Sequence, residues 1–245
     1  QKFILQGRQT ISDGSAVITG ILLAFNLPSD IPFYIVVIGA VVAIGIGKMT
    51  FGGLGKNPFN PALVGRVFLF LSFPTEVAKS EWVQPHPLFS GGLVDAFTGP
   101  TPLASIGKNN SQGLNVLDMF LGATGGSLGE VAAIAIIIGG VYLLLKRIIT
   151  WHIPVAFLTS AFVFSGILYL FGITVNPIYH LLAGGMLLGA VFMATDMTTS
   201  PISTSGQLVF GAGCGLLTIL FRCFGPMPEG VSFAILIMNA LTPLI

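Results

Sequence analysis

A short polar motif lies in the one long non-apolar segment of an otherwise strongly apolar chain. It reads Asp-Ala-Phe-Thr-Gly-Pro-Thr and runs from Asp95 to Thr101. A carboxylate and two hydroxyls in such a place make this motif the first candidate for chemistry. Its composition also fits a surface turn, because Thr-Gly and Pro-Thr-Pro are ordinary loop sequences. The motif by itself leaves both interpretations open.

A second polar motif, Asn-Pro-Phe-Asn-Pro, covers Asn57 to Pro61. Asn60 before Pro61 is a good N-cap followed by a good first helical residue. The backbone N–H groups at such a helix end can hold an anion or a polar ring. Asn57 and Asn60 fit equally well as residues that close a tight turn. The glycine-rich stretch at 51–55 lacks the spacing of a nucleotide-binding loop, so no nucleotide site is predicted.

The other ionisable residues form no catalytic set. The histidines are scattered, and the two cysteines lack ligand spacing, which predicts no metal site. Four acids near helix ends fit either an ion path or ordinary solvation at the membrane surface: Asp118, Glu130, Asp196 and Glu229. Arg66 falls inside an apolar segment, where it either extends back to the surface or meets a buried partner.

Composition determines the class of protein. The chain is 53% hydrophobic and 8% charged, with a mean hydropathy of +0.92, whereas soluble domains are roughly 25% charged. The sequence therefore predicts an integral membrane protein. A net charge of +1 provides no basic surface for nucleic acid.

Eight apolar segments are predicted to be membrane helices within a single membrane domain over 1–245. They cover residues 15–27, 31–47, 61–73, 130–146, 153–171, 178–194, 206–222 and 230–244. The first and third are shorter than the ~20 residues of a full span, so we expect them to be tilted, broken or partly buried in protein. The glycine-rich stretch at 114–129 is predicted to be re-entrant or interfacial. Because the chain begins with Gln1, we also expect it to be part of a longer polypeptide.

Basic residues orient these segments. If Gln1 is cytoplasmic and the eight spans alternate, the cytoplasmic side collects Lys2, Arg8, Lys48, Lys56, Lys146 and Arg147. The outer side then holds Lys79, Lys108 and Arg222. This excess of inner positive charge favours the orientation. It places the segment at 74–113, and Thr101 with it, on the outer face.

An internal repeat relates the two ends of the chain. Residues 14–75 and 184–244 each contain two apolar helices, a Pro/Gly-rich turn and a third helix. With the orientation above, the two triplets cross the bilayer in opposite senses, which is typical of inverted repeats in transporters. If the second repeat also includes the helices that begin at 130 and 153, the first has two more helices upstream, ten in all.

Several motifs together resemble a known family. They are the glycine and asparagine run at 52–65, Trp-His-Ile-Pro at 151–154, His-Leu-Leu at 180–182, Ala-Thr-Asp at 194–196 and Gly-Val-Ser-Phe-Ala at 230–234. Because these motifs occur in this order, the chain is similar to members of the NqrB/RnfD family. That family contains the D subunit of the Rnf electron-transport complex and the B subunit of the sodium-pumping NADH:quinone reductase. The compact length resembles the Rnf member more.

The resemblance implies a fold and a cofactor. The family fold has ten helices in two inverted five-helix repeats and is similar to urea transporters. Its members carry FMN through a phosphoester to the last threonine of a motif like Asp-x-x-(Ser/Thr)-Gly-Ala-Thr, followed by Pro-Leu. Asp95, Thr98, Gly99 and Thr101 match that motif in order, whereas Pro100 departs from the usual alanine. Thr101 is therefore the expected flavin anchor.

The resemblance also implies a function. It predicts a multi-pass subunit of the inner cell membrane, with the flavin loop on the outer face, that relays electrons between reduced ferredoxin and NAD while Na+ or H+ is moved. The expected partners are other subunits that carry iron–sulfur clusters and a second FMN. A riboflavin is also implied, with Asn57, Asn60 and Glu130 as its candidate contacts. The alternatives are the quinone-reductase subunit and a urea-transporter-like solute channel, which would have no use for the Thr101 motif.

Overall fold

The chain is almost entirely helical in the computed structural model, which describes residues 13–78, 81–83, 98–107, 109, 113–225 and 229–245. Its first helices are α1 (Ser15–Phe25), α2 (Phe33–Val41, continued as a π-helix over Val42–Met49), α3 (Pro61–Ser72) and α4 (Pro74–Val77). A short hairpin of β1 (Glu81–Val83) and β2 (Thr98–Pro100) leads to α5 (Pro102–Gly107) and α6 (Val116–Leu121). The last helices are α7 (Ala133–Leu145), α8 (His152–Leu170), α9 (Pro177–Leu182), α10 (Met186–Leu188, continued as a π-helix over Gly189–Met193), α11 (Thr204–Phe224) and α12 (Val231–Leu241, ending in a 3-10 turn over Thr242–Leu244).

Helices α2 and α3 pack closely and run antiparallel. A Cβ on Gly39 would meet Leu69 and one on Gly65 would meet Ala43, so the two backbones approach where side chains are small. In lipid, the hydrophobic effect does not drive helices together, so their association depends on close van der Waals packing. Glycines at the crossing points allow that close packing.

The two longest helices, α8 and α11, form the centre of the second half. A Cβ on Gly211 would meet Ile153 and Ala156, and one on Gly215 would meet Phe157 and Ser160, so the helices run parallel at close range. Both are long and apolar enough to cross a membrane, and five shorter apolar helices accompany them in the described residues.

The outer surface of the bundle is apolar. Leu145, Leu170 and Phe171 are between 75% and 84% exposed, although each is a large apolar side chain. Exposed apolar surface of this extent is unfavourable in water and natural in lipid. Together with the helical content and the apolar spans, it makes the chain an all-helical membrane protein in its architecture.

Seven of the eight predicted segments coincide with one continuous helix each, but the prediction of a single helix at 178–194 is wrong. That segment divides into α9 and α10 at Ala183, Gly184 and Gly185. Gly184 has φ of +65°, a conformation that glycine adopts at little cost and that ends a right-handed helix. The stretch at 114–129 gives only the short helix α6 followed by irregular turns, as the sequence predicted for a segment that does not span.

Candidate functional site

Thr101 lies between a strand and a helix. Strand β2 ends at Pro100 and pairs antiparallel with β1, with Trp82 opposite Gly99 and Val83 opposite Thr98. Helix α5 begins at Pro102, the residue after Thr101. The hairpin was not predicted from the sequence. It pairs two segments that are about 17 residues apart in the sequence, and this pairing fixes the position of the backbone that leads into Thr101.

The hydroxyl of Thr101 caps helix α5. Its Oγ1 accepts a hydrogen bond from the backbone N–H of Ala104 at 3.1 Å, as an N-cap side chain does. The residue is buried at 7% exposure, whereas Thr98 is exposed and Gly99 half-buried. Asp95, the remaining predicted member of the motif, lies outside the described residues.

A cavity of about 310 Å³ opens beside Thr101. Its walls come from both residues that flank Thr101, from α5, from the start of α6 and from the turn that follows it. The lining residues are Pro100, Pro102, Ser105, Gly113, Leu114, Asn115, Asp118, Ala123 and Thr124. Cavities that bind small organic ligands have volumes from ~300 Å³ upwards and combine apolar walls with a few polar groups. The cavity beside Thr101 reaches that volume, and four of its nine lining residues have polar side chains.

An apolar cluster holds helix α5 against the bundle. Leu103 and Ile106 of α5 are each 4% exposed and pack with Met119, Val175 and Ala183. Since the cluster joins α5 to α6 and to the end of α9, it fixes the position of Thr101 relative to the helix break at 183–185. A site supported by packed side chains in this way is rigid.

Asn57 and Asn60 tie the two ends of the chain together. Asn60 caps α3 as predicted, since its Oδ1 accepts from the N–H groups of Ala62 and Leu63, and its Nδ2 donates to the carbonyl of Met193 at 3.1 Å. Asn57 Nδ2 donates to the hydroxyl of Thr198 at 3.1 Å. Asn57 Oδ1 is buried and has no hydrogen-bond partner among the described residues. The turn therefore keeps one buried acceptor open.

Four ionisable side chains interact within the bundle, and the half-buried Glu130 is one of them. The guanidinium of Arg66 donates to the carboxylate of Glu229 at 2.6 Å and also bonds to Asn26 Oδ1. Arg222 donates to the carbonyls of His180 and Ala183 at 2.6 and 2.8 Å. Glu130 accepts from the hydroxyl of Ser127 at 3.1 Å and interacts electrostatically with Glu229, Arg66 and Arg222. We call these four ionisable residues the charge cluster.

Sequence reasoning missed most of this cluster. It left open a buried partner for Arg66, and the structure supplies two, Glu229 and Asn26. It left Glu229 open between an ion path and surface solvation, and the structure pairs Glu229 with Arg66. It counted Arg222 only as a charge on the outer side, and the structure shows it buried at 4% exposure. The one available signal was the Pro/Gly-rich turn before Glu229, since such turns within a membrane mark discontinuous helices.

Comparison with known proteins identifies the family. The model of the NQR2, RnfD, RnfE family matches residues 2–245. The D subunit of the Na(+)-translocating ferredoxin:NAD(+) oxidoreductase complex of Acetobacterium woodii is 44% identical over 239 residues, which cover 96% of this chain and 71% of that protein. The D subunit of the proton-translocating ferredoxin:NAD(+) oxidoreductase complex of Clostridium ljungdahlii is 45% identical over 249 residues, or 96% of this chain and 73% of that protein. The D subunit of the ion-translocating oxidoreductase complex of Stutzerimonas stutzeri is 43% identical over 265 residues, or 95% and 73%. The chain belongs to the NQR2, RnfD, RnfE family.

Proposed function

We propose that this chain is the D subunit of an ion-translocating ferredoxin:NAD oxidoreductase, a membrane complex that couples electron transfer to the movement of Na+ or H+. The observation that carries the proposal is the 43–45% identity to three subunits of that name over 95–96% of the chain. The quinone-reductase subunit of the same family is the closest alternative. A solute channel is favoured less, because it would give no role to Thr101 or the cavity beside it.

The flavin anchor of the proposal is Thr101, which would hold FMN through a phosphoester. The residues present fit such a group, because Pro100 and Pro102, on either side of Thr101, both line the 310 Å³ cavity. Esterification leaves lone pairs on Oγ1, so the cap on the Ala104 N–H is compatible with the attached phosphate. When bound, the flavin supplies one- and two-electron transfer that side chains lack.

The polar side chains of the cavity have distinct positioning roles in this proposal. Asn115 is committed to capping α6, since its Oδ1 accepts from the Leu117 N–H at 3.1 Å. Ser105, Asp118 and Thr124 remain as groups that line the cavity and can accept from, or donate to, a polar ring. Asp118 adds negative charge there, which disfavours the gain of electrons by any group that the cavity holds.

The finer features of the fold are also proposals. They are the inverted triplets at 14–75 and 184–244, the ten-helix urea-transporter-like arrangement of the whole protein, and the outer-face position of the flavin loop at 74–113. Antiparallel packing of α2 on α3 and of α11 on α12 supports a hairpin within each triplet.

A single cysteine placed at Lys79 or Lys108 should react with a membrane-impermeant thiol reagent on intact cells, and one at Lys56 or Lys146 should not. The reverse pattern would contradict the orientation.

Riboflavin is proposed to bind near the Asn57 turn. The open Asn57 Oδ1 would accept a hydrogen bond from the ring imide, and Asn60 holds the adjacent backbone in place. Glu130 stays a predicted contact of that ligand, while its described neighbours are the charged side chains of the cluster.

The proposed electron-transfer partners are other subunits of the complex, which carry iron–sulfur clusters and a second FMN and are surrounded by membrane lipid.

The anchor is tested by flavin fluorescence of the denatured subunit in a gel. Thr101→Val removes the only hydroxyl at the esterified position of the motif, so we expect complete loss of the signal. Thr98→Val is the matched control, three residues away in the same motif, and should weaken the signal at most. A Thr101→Val subunit that still fluoresces would show that the flavin is attached elsewhere.

A further inference from the structure

Four helix ends converge on the charge cluster. Asn26 follows the end of α1, Glu130 precedes the start of α7 at Ala133, and Glu229 precedes the start of α12 at Val231. The fourth is the break between α9 and α10, which Arg222 contacts through the carbonyls of His180 and Ala183. Membrane transporters build ion sites from helices that stop inside the fold, because the freed backbone and side-chain groups must face polar partners.

Glu130 differs from the other members in how its charge is balanced. Glu229 is paired directly with Arg66 in a salt bridge. Arg222 has its hydrogen bonds to backbone carbonyls. Among the residues that the structure describes, the Ser127 hydroxyl is the close partner of Glu130, while Arg66 and Arg222 act on it from farther away and Glu229 repels it. A carboxyl without a direct ion pair can exchange a proton while the Arg66–Glu229 pair stays in place.

The cluster also contains an unfilled polar position. Arg222 is 4% exposed, and its Nε has no hydrogen-bond partner among the described residues. A cavity of about 10 Å³ adjoins it, lined by Arg66, Leu103, Gly185, Arg222, Glu229, Val231 and Ser232. A space of ~10–15 Å³ holds about one water molecule when polar groups surround it. A water there would lie beside the Arg222 Nε and the Glu229 carboxylate, which both face this cavity.

We propose that Glu130 is a proton-exchange site inside the membrane fold, with Arg66, Arg222 and Glu229 as the fixed charges around it. The inference rests on the proposed function as an ion-translocating subunit and assigns part of that function to one carboxyl. In the step itself, the Glu130 carboxylate takes one proton from water and becomes a carboxylic acid. The reverse step returns the proton to water, and no electron moves.

Leu103 connects this site to Thr101. It lies two residues after Thr101, lines the small cavity, and would be met by a Cβ on Gly184 at 3.0 Å. Because charges interact strongly through an apolar interior, added negative charge at Thr101 makes protonation of Glu130 more favourable. If Thr101 holds a flavin, its reduction would add negative charge there and so favour protonation of Glu130.

The test is a reduced-minus-oxidised infrared difference spectrum of the purified, assembled complex in H2O and in D2O. The wild-type complex should show a band for a protonated carboxyl group that grows on reduction and shifts to lower frequency in D2O. Glu130→Gln should lack the band. Glu130→Asp should keep it at a changed frequency. Asp30→Asn, which alters an exposed carboxylate outside the cluster, should match the wild type.

Proton uptake on reduction, measured with a pH-sensitive dye, should be lost in Glu130→Gln and kept in Asp30→Asn. A wild-type spectrum without the band, or a band that Glu130→Gln and Glu130→Asp leave unchanged, would overturn the proposal. A second outcome would also overturn the proposal: Glu130→Gln abolishes ion transport, but the wild type shows no protonation of a carboxyl group. Glu130 would then bind Na+ or act only as a fixed charge. The in-gel flavin signal of each variant separates these outcomes from a failure of the Thr101 assignment. If the Glu130→Gln complex does not assemble, the comparison of the wild-type and Glu130→Asp spectra tests the proposal, because the band should differ in frequency between them.

Discussion

The Thr101 cap and the Arg66 pair are both polar contacts in an apolar fold, but they join very different parts of the chain. Thr101 bonds to Ala104, three residues away. Arg66 bonds to Asn26 and Glu229, which are 40 and 163 residues away. A local contact forms with its own helix, whereas a distant one requires that the bundle already be assembled. The two regions should therefore respond differently to mutation.

The largest expected effect is on the distant contact. Glu229→Ala leaves the Arg66 guanidinium buried without its carboxylate, which we expect to lower the free energy of unfolding by about 3–5 kcal/mol. The double variant Arg66→Met with Glu229→Leu should recover most of that loss, because no charge then remains unpaired. Thermal unfolding of the detergent-solubilised protein measures both. Asp30→Ala, at an exposed carboxylate, is the control. A Glu229→Ala protein as stable as the Asp30→Ala protein would show that the pair is unimportant.

A smaller effect is expected where the two regions meet. Gly184 has φ of +65°, and a Cβ there would lie 2.5 Å from a nitrogen of Arg222 and 3.0 Å from Leu103. Gly184→Ala should destabilise by at least the ~1–2 kcal/mol of a left-handed non-glycine residue. Gly20→Ala is the matched control, since Gly20 is helical and faces open space, and it should be neutral or stabilising by up to ~1 kcal/mol. Equal unfolding temperatures for the two variants would contradict the close packing at the break.

The smallest effect is expected on the local contact. In protein without attached flavin, Thr101→Val removes the cap of α5 and should cost about 1 kcal/mol, confined to that helix. The measurement is amide hydrogen exchange at Ala104, which should become faster by about fivefold on this scale. Thr101→Ser keeps the capping oxygen and should exchange like the wild type. If the amides of α11 also exchange faster, the Thr101 cap stabilises the whole fold. The proposed difference between the local Thr101 contact and the distant Arg66 contact would then be wrong.

The same contrast explains what the sequence predicted. Helix positions, the Asn60 cap and the membrane class follow from local composition and periodicity, so they were predictable residue by residue. The break at Gly184 was not, because an apolar run with three glycines has the same pattern whether or not a distant Arg222 bonds to its carbonyls. The β1–β2 pairing and the Arg66–Glu229 pair likewise depend on segments that only the tertiary fold brings together.

For the cofactor site, the sequence identified Thr101 through a motif and could not identify the cavity beside it. The cavity walls come from three separate segments, around 100–105, 113–118 and 123–124, and only their packing makes a space of about 310 Å³. Asp118 was noted merely as an acid near a helix end, and its place in the cavity wall gives it a role that spacing alone could not suggest.

The most direct test of the central claim is the mass of the proteolytic fragment that contains Thr101, from the complex purified from its native membrane. The account predicts a fragment heavier than its sequence by one FMN less one water, with fragmentation placing the added mass on Thr101. An unmodified fragment, or a flavin placed on Thr98, would contradict the assignment of Thr101 as the anchor.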